Sequence, residues 1–138
     1  MVKNMHQYRI TRRRIKEFTK ALNALDINEL DERAQLIQRI EIDAIRTQLL
    51  DLQAEVDHFE SLGAGRTPPQ PVVGIGSIPT ALIETRIARC WTQQDFADAL
   101  GIKAQVLQRY EATDFAGCSY ATLLTFGKTL GLEANVSR

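Results

Sequence analysis

The chain has 138 residues, is 44% hydrophobic, and carries 17 basic and 17 acidic side chains for a net charge of zero. That length fits one or two small domains with modest cores, and the composition excludes a disordered or collagen-like chain. No apolar run is long enough for a membrane span and no signal-peptide pattern stands at the start, so a cytoplasmic protein with no membrane association is expected.

Residues 1–62 read as helical, with a break near Asp26–Asn28. A first helix, from about Thr11 to Leu25, places Ile15, Phe18, Leu22 and Leu25 on one face. A second, from about Asn28 to Leu62, would extend about 50 Å. Its Ile42, Ile45, Leu49, Leu52, Val56 and Phe59 recur at alternating steps of three and four, a heptad seam suited to dimerisation. Leu30, Ala34 and Ile37 begin the same steps, but the jump from Ile37 to Ile42 breaks phase. That interruption argues for a shorter seam or a helical hairpin over one long, regular two-stranded coil. The seam holds no polar residue that would set register, so parallel and antiparallel dimers both remain open.

Charge is placed unevenly. Met1 to Lys20 has seven basic residues against Glu17 alone, whereas Asn28 to Leu62 has three arginines against nine acids. The plainer consequence is that the basic helix packs beside the acidic one, within a chain or between chains; the other is that Arg12, Arg13 and Arg14 add phosphate contacts. Residues 63–78 form a linker, because Pro68, Pro69, Pro71, Gly74 and Gly76 exclude regular helix. Val72, Val73 and Ile75 allow part of it to lie against a domain.

Residues 79–138 carry helical patterns over about 79–89, 93–100, 103–111 and 120–130. Thr92 is a good N-cap that Asp95 can answer as a capping box, and Trp91 and Phe96 sit at hydrophobic-staple spacing. Gly101 ends that helix, and Ser119 caps the last. Ile87, Phe96, Ala97, Leu100, Ile102, Leu107, Tyr110, Leu123, Phe126 and Leu130 read as core, and Glu111 is expected to pair with Arg86 or Arg89. Two helices so closely joined cross steeply, leaving the polar face of the second available to a major groove.

The runs ALIETRIARCWTQQDFADALGI, KAQVLQRYEA and SYATLLTFGKTLGL, between Ile78 and Leu132, resemble the Xre-type helix-turn-helix domain of the lambda-repressor and Cro superfamily. The Thr-Gln helix start, the Ala-x-x-Leu-Gly turn, the Tyr-Glu ending and the closing Leu-Gly fall in the family's order. A helical half before such a domain is also similar to some small bacterial antitoxin-like regulators. The resemblance implies an all-α chain: an N-terminal hairpin or coiled-coil segment, a linker, and a four- to five-helix repressor-like domain.

It further implies double-stranded DNA as ligand, read as two half-sites by a homodimer, with repression near the protein's own promoter. Gln105 and Arg109 would then read base edges, with adenine and guanine as their bidentate partners, and Val106 could meet a thymine methyl. Lys103 and Gln108 would flank them, and Gln93 would point toward a phosphate. Ala104 stands where the family commonly has a polar reader, which shifts specificity onto Gln105, Arg109 and DNA shape. The alternative function is an interaction protein whose N-terminal helices neutralise a co-encoded toxin, DNA binding then serving autoregulation. Cys90, Cys118, His6 and His58 lack ligand spacing, so no metal or other cofactor is expected, and no catalytic constellation is evident.

Overall fold

The computed structural model describes residues 1–25 and 31–132. Among the described residues the chain is all-α: α1 (Met5–Ala24), α2 (Glu32–Gly63), a 3₁₀ turn (Ile75–Ser77), α3 (Ile78–Ala88), α4 (Gln93–Leu100), α5 (Ala104–Ala112) and α6 (Tyr120–Thr129). It divides into two compact units, Met1–His58 and Phe59–Arg138. None of these helices is long and apolar enough to cross a membrane.

In the first unit, α1 starts six residues before the expected Thr11. The reason is local: Asn4 accepts from the Gln7 N–H at 2.8 Å, and the Gln7 side chain accepts from the Lys3 N–H at 2.9 Å. Helix α2 starts later than the expected Asn28, where the Asp31 carboxylate accepts from the Ala34 N–H at 2.8 Å. The break expected near Asp26–Asn28, and Leu30 of the early seam, lie outside the described residues. The Met1 amine is 3.3 Å from Glu55 Oε1, which places the start of α1 beside the later part of α2.

The buried faces of α1 and α2 follow a common rhythm. On α1, Tyr8, Thr11, Ile15, Phe18 and Leu22 are buried or half-buried, at alternating steps of three and four. On α2 the seam Ile42, Ile45, Leu49, Leu52 and Val56 is likewise buried or half-buried within one chain. Part of the seam expected to serve dimerisation, Ile42, Leu52 and Val56, is thus already covered within one chain. The seam does not break after Ile37: the same steps continue back through half-buried Gln38 and Gln35, while Leu36, Ile37 and Ile40 lie on the exposed side. This backward extension does hold a polar residue, and Gln38 Oε1 is buried without a hydrogen-bond partner among the described residues.

The second unit begins at Phe59, within the region expected to run to 62, and Phe59 and Leu62 at the end of α2 pack in its core. Phe59, expected at the dimer seam, belongs here. The remainder of that core is Leu82, Ile83, Ile87, Phe96, Ala97, Leu107, Phe115, Leu123, Phe126 and Leu130. Phe126 is its hub, edge-on to Phe96, Tyr110 and Phe115 with ring centroids 5.9, 5.8 and 5.9 Å away. Helix α3 is buried on every side from Ala81 to Ile87. Of the linker's apolar residues, Val72 is half-buried but Val73 and Ile75 are exposed, and the Gln70 N–H donates to Glu84 Oε1 at 3.1 Å.

Candidate nucleic-acid interface

Local chemistry shapes α4 and its ends. Thr92 Oγ1 accepts from the Asp95 N–H at 3.0 Å while the Asp95 carboxylate accepts from the Thr92 N–H at 2.9 Å. The Thr92 backbone N–H, and after it the Thr92 side chain, stabilise the charged carboxylate and hold Asp95 below its ordinary pKa. Trp91 and Phe96 close the staple with ring centroids 6.2 Å apart. At the other end Gly101 takes φ 73°, letting its own N–H reach the Asp98 carbonyl and the Ile102 N–H reach the Ala97 carbonyl. The chain then re-enters helix at Ala104, with Lys103 at the N-cap making no side-chain cap bond.

Helix α5 ends in the same way, with a less usual residue choice. Asp114 and Phe115 both have positive φ, the Phe115 N–H reaches the Tyr110 carbonyl at 2.7 Å, and the two rings stack 6.0 Å apart with planes 6° from parallel. The aromatic stack holds Asp114 and Phe115 in a conformation that L residues adopt reluctantly. Phe115 was absent from the expected core; its only sequence signal is a large aromatic two residues before Gly117.

A buried polar network ties the start of α4 and the end of α5 to α3. Arg86 Nε donates to both carboxylate oxygens of Glu111 at 3.1 and 3.0 Å, its Nη2 to Oε1 at 2.8 Å, and its Nη1 to the Trp91 carbonyl at 2.9 Å. Both side chains are almost wholly buried, 3% and 2% exposed. The expected Glu111 pairing is thus made, through Arg86. Gln93 joins the network, its Nε2 donating to Glu111 Oε1 at 3.3 Å. This differs from the expectation for Gln93: its side chain is buried against a carboxylate and does not point outward toward a phosphate. Glutamine is long enough to fold back from a helix start, which position alone does not reveal.

The remaining expected readers are on the outside. Gln105 and Arg109, one turn apart, share the exposed face of α5, with Val106 and Gln108 beside them and Lys103 before the first turn. Val106 is 37% exposed, which is much for a valine flanking a core helix position. Ala104 does not stand in this row: it is half-buried and packs on the core beside Leu107. A longer side chain there would meet that core, which accounts for the small residue. Exposed Gln94, which the sequence reading passed over, donates from Nε2 to Asp98 Oδ1 at 2.7 Å.

Charge over the second unit is balanced in sum. The sequence from Phe59 to Arg138 has seven basic and seven acidic residues, and α5 itself offers only Arg109, with Lys103 at its N-cap. No family model, curated protein or solved structure matches the chain.

Proposed function

We propose that the protein is a sequence-specific DNA-binding regulator of the Xre helix-turn-helix type, acting as a homodimer and repressing near its own promoter. The observation carrying this reading is α5, a short helix braced from behind by the Arg86–Glu111 pair and presenting Gln105 and Arg109 outward, one turn apart. Glutamine and arginine are the side chains that pair bidentately with adenine and guanine in the major groove. The tight turn at Gly101 and the capped start of α4 support a helix-turn-helix frame. The Met1 amine beside Glu55, far along α2, supports the helical-hairpin reading of residues 1–62.

One such domain buries too little surface for tight specific binding, so two copies would read two half-sites about 34 Å apart. With part of the seam covered, a second copy has the outer face of α2, where Leu36, Ile40 and Leu50 are 60%, 62% and 72% exposed. The same exposed leucines and isoleucine favour the second reading, in which residues 1–58 neutralise a co-encoded toxin.

Binding of the full chain to its upstream DNA and to a scrambled duplex tests the first reading. A preference for upstream DNA, lost in Gln105→Ala/Arg109→Ala with fold and oligomeric mass unchanged, is the expected result. Preference retained in that variant would remove both residues from the reading role. A stable complex with the co-encoded protein, weakened by Leu36→Glu and accompanied by no DNA preference, would turn the assignment to the second reading.

A further inference from the structure

We infer a second nucleic-acid contact: the outer face of α1 is a phosphate-binding stripe for duplex DNA, made by Arg9, Arg13, Lys16 and Lys20. The inference rests on the DNA-binding reading and adds the electrostatic part of it. Salt-sensitive attraction to phosphates supplies essentially all non-specific DNA binding and a large share of specific binding. The residues around α5 are poorly equipped to supply it, because Phe59–Arg138 is neutral in sum and Arg86, one of its cations, is committed to Glu111. The one concentration of positive charge in the chain is at its start, where seven of the ten basic residues of 1–58 fall within the first twenty.

Geometry makes that charge a stripe. Arg9, Arg13, Lys16 and Lys20 follow steps of four, three and four, so they line up along one side of α1. That side is opposite the row Tyr8, Thr11, Ile15, Phe18 and Leu22, whose burial leaves it facing outward, and all four cations are exposed. None of the four makes an ion pair among the described residues. The expected neutralisation of this helix by the acids of α2 therefore does not reach them. Arg12 and Arg14, by contrast, lie over the rings of Tyr8 and Phe18 at 5.7 and 6.0 Å. From Arg9 to Lys20 the stripe runs about 16 Å. Over that length a duplex carries roughly five phosphates on each strand. The readout is of backbone charge, so it is indifferent to sequence.

The test uses the full-length protein and its variant Arg9→Gln/Arg13→Gln/Lys16→Gln/Lys20→Gln, with binding to upstream and scrambled duplexes followed across a salt series. Each cation that engages a phosphate contributes about 0.9 to the slope of log K against log salt, so the slope should flatten by up to about 3.6. Affinity near 0.1 M salt should fall at least about tenfold, equally for both duplexes. Far-UV circular dichroism and sedimentation check that fold and mass are kept. Unchanged slope in the variant overturns the stripe and leaves the α5 reading intact. Flattened slope with no upstream preference in the parent protein upholds the stripe and removes the α5 reading. Absence of any duplex binding by the parent protein overturns both. A variant that loses oligomeric mass with unchanged slope, or binding only to phosphatidylserine vesicles, assigns the cations to another partner and overturns the inference.

Discussion

The two units solve the problem of a small core differently. Residues 1–58 rely on repetition: two long helices, inward residues at alternating steps of three and four, aliphatic side chains for the most part, and Gln38 Oε1 left without a partner among the described residues. Residues 59–138 rely on singular contacts: an aromatic cluster around Phe126, a buried ion pair, and helix ends closed by Gly101 and Phe115. Repetition tolerates local change but specifies its partner weakly, whereas singular contacts specify one arrangement and fail sharply when one of them is lost.

The sharpest way to break this contrast is at the ion pair. Glu111→Ala leaves the Arg86 guanidinium buried without its carboxylate and should destabilise the second unit by about 3–5 kcal/mol, read by urea unfolding. A loss under about 1 kcal/mol would mean that the network is not what braces α5.

In the first unit, neighbouring positions should differ widely. Leu52→Ala removes a buried seam residue and should cost about 2–5 kcal/mol, while Leu50→Ala, 72% exposed, should stay within about 0.5 kcal/mol in dilute monomer. A concentration-dependent melting temperature lost in Leu50→Ala would place the dimer contact on the outer face of α2. Gln38→Leu relieves a buried amide oxygen that has no partner among the described residues, and should stabilise the unit by about 1–2 kcal/mol.

A smaller effect is expected at Cys90, which closes α3 at φ 58° where glycine carries no steric cost. Cys90→Gly should raise the stability of the second unit by about 1 kcal/mol in thermal unfolding. The smallest effect concerns acid. Asp95 has a folded pKa below the ordinary value of 3.8, so its cap contributes fully above that value and fades as pH falls through the folded one. The difference in melting temperature between the parent chain and Asp95→Ala should therefore narrow below about pH 4, where an unchanged gap would show that charge plays no part in the cap.

Much of this architecture was legible because its causes are local. Thr92 with Asp95, Trp91 with Phe96, Gly101 and Ser119 each act within a few residues, and α4 and α6 begin where these signals stand. Asn4 with Gln7 was an equally local signal for α1, and weighing it would have moved the start of that helix from Thr11 to Met5. Within the candidate interface, Lys103, Gln105, Val106, Gln108 and Arg109 are exposed as their helical positions require, and Glu111 is paired with Arg86.

By itself, then, the sequence determined the helical class, most helix boundaries and the faces those helices turn inward, since capping and periodicity are properties of a few neighbouring residues. Only tertiary structure decided what covers each face. A heptad seam reads the same whether its own chain or a second copy lies on it, and here Ile42, Leu52 and Val56 are buried within one chain. The same reason sent Phe59 into the second unit's core, Ala104 against that core, and the Gln93 side chain onto Glu111. Each depends on a surface brought near by residues distant in the chain, and a hydrophobic or polar period specifies a direction without naming what stands there.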